Sequence, residues 1–450
     1  MRLATWFLFV ALLSGVAIAR PMAGRTSSSA EPQAPSRPSA ASDAFFSVTT
    51  LHTAHLSFTA DQWAAMQPKG GFGFGGFGGG FGAGGFVGTE GSRNGVAARA
   101  GVVFVYVHAR LDLDGKTYRD VAVRYKGNGS YMQGSREGKI SLKVDLNKFV
   151  SGQQVAGATT LNFQNNITDI SWMNEVLAYQ LYRDAGSLAP RSSYVKVYLT
   201  VAGQFERRYW GLYSISENVD LHFIQERFGL KSGAIVKPST RSPFTWMGDD
   251  WAAYNQTYDP KTDLTDADKR RLIAFCTFVS NASDADFNTH IGEYLDLDQF
   301  ARYFAVLAWI ANSDSILGIG QNYYVYLHPT THKFVFSAWD QDFSFGRGSP
   351  GWNIYYPWQG SNVFLGRVYS VEAFRRAYLT HMSEFSRTIF RPERFEATIK
   401  KIAPVIRPAI QEEGTQWLPP FDRIAAGEAG ILPYVRSRAA FVENALAHPQ

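Results

Sequence analysis

The hydrophobic pattern of this chain changes period along its length, and that change limits the folds open to it. Through most of the first 220 residues apolar positions alternate, as strands require. From about residue 265 they recur every three or four, as helices require. The reading is therefore α+β, with a sheet-rich first part and a helix-rich second part. "FFSVTTLHTAHLSF" is a strand, and "TADQWAAMQ" is a helix capped by Thr59. "VVFVYVHARLDLDGKTYRDVAVRYKG" holds two alternating runs that meet at Asp114-Gly115, a hairpin signal. "KGNGSYMQGSREG" reads as a polar loop, and "KISLKVDLNKF" and "TTLNFQN" as further strands. In "TDISWMNEVLAYQLYRDAG", Met173, Val176, Leu177, Gln180 and Leu181 keep helical spacing and Gly186 marks the stop. A strand pair, "RSSYVKVYLTVAGQFERRYWGLYSISENVD", and a helix, "LHFIQERFG", complete a small antiparallel sheet with one helix packed on it.

The second part reads as the helices "ADKRRLIAFCTFVSN", "DLDQFARYFAVLAWIANSD", "VEAFRRAYLTHMSEFSR" and "PERFEATIKKIAPVIRPAIQEE". They are interrupted by one strand pair, "QNYYVYLHPTTHKFVFSAWD". The predicted boundaries put the sheet-rich part at residues 102–238 and the helix-rich part at 239–450, with the chemistry-bearing hairpin at 312–346. Ligands commonly bind in the cleft between two such parts.

The N-terminus has a different purpose. "MRLATWFLFVALLSGVAIAR" combines an early arginine, a short apolar core and a small-x-small ending. Residues 1–19 are expected to be a cleaved secretory signal, since the core is short for a bilayer span. No later segment is apolar enough to span a membrane. Residues 20–44 are rich in Ser, Ala and Pro and read as a disordered leader. Within 45–101, residues 70–88 form a Gly/Phe-rich insertion whose glycine density argues against an ordered element. The lone cysteine, Cys276, excludes an internal disulfide and a thiolate metal site, and its context is that of a helix core. A net charge of +5 with no dense Lys/Arg run argues against nucleic acid as a partner.

The stretch "SAWDQDFSFG" ends an apolar strand with two acids, Asp340 and Asp342, on either side of a glutamine. In extended backbone residues i and i+2 face one side, so the pair suits a hard cation with oxygen ligands. Solvated turn carboxylates are the other reading of the same residues. Upstream, "AWIANSDSILGIGQNYYVYL" places Asp314 at a helix-to-loop transition and Asn322 at a strand entry. Carboxylate, amide, then strand-end carboxylate is an order that protein kinases also use. In the first part, Lys143 lies inside a strand, Lys139 opens it, and Glu175 sits in the first turn of a helix, where the macrodipole favours an acid. "YKGNGS", with Lys126 and Asn128, can turn backbone amides toward an anion.

Taken in order, "VRYKGNGS…KISLKVDLNKF", "WMNEVLAYQLYRDAG", "YWGLYSISENVD", "NSD…NYYVYL" and "WDQDFSFG" resemble the spore coat protein H (CotH) kinase family. The resemblance implies a two-lobed, atypical protein-kinase-like fold that is secreted. It implies transfer of the γ-phosphoryl of ATP to Ser or Thr of protein substrates with Mg²⁺ or Mn²⁺. On this sequence, Asp314 would be the catalytic-loop carboxylate, and Asp340 or Asp342, with Asn322, would bind metal. Lys143 and Glu175 would form the phosphate-side pair, with Lys126 or Lys139 as other lysines for that place and Asn128 in the anion loop. A non-catalytic adhesion protein on the same fold and a carboxylate-based glycoside hydrolase are the competing readings.

Overall fold

A computed structural model describes residues 39–67, 104–127, 129–346 and 348–448. The expected signal at 1–19, the insertion at 70–88 and Asn128 lie outside the described residues. So does most of the leader at 20–44. Its described end is not disordered, because Ala40–Phe45 is a helix with Ser39 as its N-cap.

Alternation of apolar and polar residues builds the first body. Strands β1 (Leu51–Phe58), β2 (Val107–Leu113), β3 (Lys116–Tyr125), β4 (Leu142–Asp145), β5 (Thr160–Gln164), β6 (Ser192–Val201) and β7 (Phe205–Glu217) close into a barrel in the order β1-β2-β3-β4-β5-β7-β6. The expected open antiparallel sheet is thus closed, because β1 pairs in parallel with β6 from Leu51↔Tyr194 to Phe58↔Val201. Every second residue points inward, so Leu56, Leu111, Val123, Val144, Phe163 and Ile215 share one apolar interior. Asp114 and Gly115 both take left-handed φ, 50° and 81°, as a two-residue hairpin turn requires. The segment read as a polar loop instead contains a helix, Gly129–Glu137. Its glycines and polar residues leave no apolar stripe by which a sequence pattern finds a helix.

The second sheet has the order β11-β10-β8-β9, from β8 (Ala234–Pro238), β9 (Tyr258–Pro260), β10 (Tyr323–Leu327) and β11 (Phe334–Ala338). The sequence reading put the end of the sheet-rich part at residue 238, yet β8 hydrogen-bonds to β10 and belongs to this second sheet. Behind it lies a larger apolar core centred on the helix Leu297–Ile310, which is buried almost all round. Cys276 is in that core, its thiol pushed up to about 12 by burial, as suits an inert packing residue. Arg438 is fully buried and donates to the carbonyls of Ala308 (2.8 Å) and Trp309 (2.9 Å) at the end of that helix. It therefore satisfies carbonyls that helix geometry leaves unpaired.

Two ionic networks join these bodies. The helix Pro392–Glu413 reaches back to the barrel, where Glu413 accepts from Lys139 (2.6 Å) and from the Leu212 amide (2.7 Å). Elsewhere the buried Glu217 lies between Arg191 and Arg227, each 2.5 Å away. Arg191 also holds Asp43 of the N-terminal helix at 2.8 Å and pairs with Glu226 of the helix Leu221–Phe228. Residues 35–450 form one unit by their contacts. The molecule is a mixed α+β protein in which a barrel, a four-stranded sheet and a helical body pack together.

Candidate active site

The outer face of the barrel builds one wall of the site. Register places Arg124 opposite Lys143 and Lys143 opposite Asn162, with Asn162 opposite Ser216. Their strand neighbours Val123, Leu142, Leu161 and Ile215 fill the barrel interior, so this polar row faces outward. Lys126, one step past β3, stands in the same row. It donates to Gln164 (2.9 Å) and Asn162 (3.3 Å), and its ammonium lies 4.9 Å from the centre of the Trp339 ring. Burial pushes Lys126 down to about 7, against the opposing charge of Asp340.

The helix Asn174–Asp184 crosses this wall and brings Glu175, buried in its first turn, into hydrogen bond with Ser216 at 2.6 Å. Burial, then the Asp340 charge, raises Glu175 to about 7, while Ser216 and Lys126 pull it down. The Lys126 charge acts on Glu175, and Lys143, the partner expected from the sequence, lines the same cleft as Lys126. Lys126 follows the last β3 residue, its amide still donating to the Ser141 carbonyl at 2.9 Å, whereas Lys143 lies within β4. Lys139 is drawn away altogether by Glu413.

The second wall comes from the hairpin. The helix Leu297–Ile310 ends as Ala311 turns left-handed (φ 49°). Asn312, fully buried, then fixes the following loop twice. Its Oδ1 accepts from the Asp314 amide at 2.9 Å, and its Nδ2 donates to Gln341 at 3.2 Å. Asp314 accepts from Gln321 Nε2 (2.8 Å), and its carbonyl accepts from Asn322 Nδ2 (2.8 Å). Burial and the nearby Asp340 charge raise Asp314 to about 6. Gly320 lets this loop pass Thr240, since a Cβ there would lie 1.7 Å from the Thr240 carbonyl oxygen.

After β11 the backbone is not extended, contrary to the sequence reading. The strand stops at Ala338, and Asp340 is left-handed (φ 52°), its amide donating to Tyr179 at 2.9 Å. Gln341 is buried and tied to the Trp339 carbonyl at 2.7 Å. Asp342 accepts from the Thr168 hydroxyl, and its carbonyl accepts from Asn174 at 3.0 Å. Burial and then Asp340 push the Asp342 carboxyl well above the usual carboxylate range. A turn, not a strand, brings the two acids into each other's field.

Asp340, Lys126, Lys143, Lys237, Asn162 and Trp339 are among the residues lining a cleft of about 1280 Å³ between the barrel and the second sheet. Asp314, Asp342 and Glu175 are not among the lining residues, and the Asp340 charge acts on all three. Among the described residues no three carboxylate, imidazole or thiolate groups converge as a complete protein cage for a metal. The donor set still fits a hard cation that takes its remaining oxygens from phosphate and water. Burial raises Asp314, Asp342 and Glu175, and the charge of Asp340 adds to it in all three. The sequence reading passed over Lys237, Asn312, Gln164 and Thr168. The first was findable as a lone lysine in the apolar run "AIVKP"; the other three carry no such signal.

A fold and a site of this kind define a family. The CotH kinase protein model matches residues 123–442, and the chain belongs to that family. The match takes in every described residue of the candidate site. Inner spore coat protein H of Bacillus subtilis (strain 168) is 23% identical over 307 residues, covering 66% of this chain and 82% of that relative. A solved complex of the Shewanella oneidensis MR-1 toxin–antitoxin system HipA, HipB and operator DNA aligns with 12% identity and a TM-score of 0.29. That alignment covers 63% of this chain and 57% of the matched one, and a likeness so low supports no conclusion. No helix among the described residues is long and apolar enough to cross a membrane.

Proposed function

We propose that the cleft moves the γ-phosphoryl of ATP to Ser or Thr hydroxyls of a protein substrate, as an exported kinase with a two-lobed, kinase-like arrangement. The observation that carries this reading is the opposition, across one cleft, of Lys126 to Asp340 and the acids gathered behind it. Lys126, oriented by Gln164 and Asn162 and balanced by Glu175, serves the phosphate chain. Asp340, Asp342 and Asn322 would hold Mg²⁺ or Mn²⁺. When bound, the ion would neutralise charge on the phosphates. Asp314, held by Gln321 and by the Asn312 turn, would orient the acceptor hydroxyl and take its proton. Its raised proton affinity suits a base working near neutral pH. The pattern of residues 1–19 supports export.

The test is the intact mass of the protein, and of a generic acceptor protein, after incubation with ATP and Mg²⁺ or Mn²⁺. Asp314→Asn and Asp340→Asn serve as comparisons. Phosphoryl additions in the wild type that vanish in both variants are expected. No addition to either protein would transfer the weight to a non-catalytic binding protein on the same fold.

A further inference from the structure

Lys237 stands on β8, outside the barrel, and has no part in the roles assigned above. Along β8 the neighbouring Val236 faces the large helical core, whereas Ile235 belongs to a small apolar cluster with Tyr324, Tyr326 and Trp339. Alternation therefore turns Lys237 toward the cleft, which it lines. Its ammonium lies 5.7 Å from the Tyr324 ring centre and 5.7 Å from that of Trp339. Among the described residues it makes no hydrogen bond and no ion pair. Asp259, its partner in strand register, is bonded to Lys261 instead.

A half-buried lysine that lines a cleft and makes no hydrogen bond of its own has its donors available to an anion. Lys126 flanks the same Trp339 ring at 4.9 Å, so two ammonium groups from two different sheets border one indole. They differ in their surroundings. Lys126 is bonded to Gln164 and Asn162 of the barrel, whereas the chain runs on from Lys237 to Thr240, whose amide donates to the Gly320 carbonyl at 2.8 Å in the loop that carries Gln321 and Asn322. Lys237 is thus on the strand that leads to the loop after Asp314, the side proposed for the acceptor hydroxyl.

We propose that Lys237 is a second phosphate-binding cation, one that contacts the terminal phosphoryl group of a nucleoside triphosphate held in the cleft. The proposal rests on the phosphoryl-transfer reading and adds to it a way of telling triphosphate from diphosphate. Lys126 would grip the part of the phosphate chain that both nucleotides share. Lys237 would grip the group that is transferred and so is missing from the product.

Dissociation constants for ATP and ADP, measured by titration calorimetry on the full chain with Mg²⁺, test this in the wild type, Lys237→Met, Lys237→Gln and Lys237→Arg. Methionine keeps the apolar stem against Trp339, and glutamine covers the case in which methionine alters the fold. Loss of one charge-assisted contact predicts about 10- to 100-fold weaker ATP binding in the Met and Gln variants, with ADP changed by less than about 3-fold. The arginine variant should keep most of the preference for ATP. An unchanged ATP/ADP ratio, with or without a fall in Tm, overturns the proposal and assigns Lys237 a packing role. A wild type that binds neither nucleotide defeats the phosphoryl-transfer reading itself, and the proposal with it.

Discussion

Replacing Glu217 with glutamine should destabilise the protein by an amount that depends on pH in a calculable way. The buried carboxylate is held down at about 2, from an ordinary 4.5, by Arg227 and Arg191 working against the cost of burial. A carboxyl whose proton affinity falls on folding contributes stability above its unfolded value, and loses it as pH falls through the folded value. The contribution is about 3 kcal/mol at pH 7, about 1 kcal/mol at pH 3, and near zero below pH 2. Glutamine imitates the protonated acid and leaves two guanidinium groups facing a neutral partner. The Glu217→Gln cost at pH 7 should therefore be about 3 kcal/mol, in the range seen when one member of a buried ion pair is removed. The assay is urea unfolding followed by tryptophan fluorescence at pH 7, 5, 4 and 3, for the wild type and the variant. The gap between the two curves should hold from pH 7 to about 5 and then close as acid is added. A gap below about 1 kcal/mol at pH 7, or one that stays constant down to pH 3, would refute the reasoning. The same network fixes the helix Leu221–Phe228, whose Leu221, His222 and Gln225 line the cleft, so nucleotide affinity should weaken with the stability.

Three further outcomes follow from the geometry. Arg438→Met should cost about 3 kcal/mol or more by thermal unfolding, because four backbone acceptors, two of them buried, lose their donor, and Arg438→Lys should not restore it. Gly320→Ala should cost about 1–3 kcal/mol or more, since the loop must move off Thr240, and should lower phosphoryl transfer more than nucleotide binding because the same loop carries Gln321 and Asn322. Lys126→Met should weaken ATP and ADP alike, by about 10-fold or more in calorimetry, while Lys143→Met should have the smaller effect.

Local order was legible wherever the residues that decide it are neighbours in the chain. The Asp114-Gly115 hairpin, the Thr59 cap with Gln62 as its reciprocal partner, and the long apolar helix all follow from short-range rules. Closure of the barrel was not legible, because the pairing of β1 with β6 leaves no mark on either strand's own pattern. Strand β8 is a short apolar run that reads equally as sheet or buried coil until β10 lies beside it. At the site, the order Asp314, Asn322, Asp340, Asp342 could be read; of these Asp340 lines the cleft, and Asn322 donates to the Asp314 carbonyl. The choice among lysines could not. Lys126 reaches Asn162 and Gln164 only because β4 and β5 pair beside it, which nothing around Lys126 in the sequence records. Asn312 and Arg438 were invisible for a related reason, since each acts on backbone atoms that only the tertiary fold brings near.

The parallel pairing of β1 and β6 also sets an order of events during synthesis. Leu51 finds its partner only when Tyr194 has been made, so β1 has one vacant edge while the intervening strands emerge. An unpaired edge of alternating apolar residues is a template for wrong partners, and long-range closure is slow. A chain stopped before residue 194 should therefore be a sticky sheet with two open edges, β1 and β5, and its solubility should depend on a chaperone until β6 and β7 arrive.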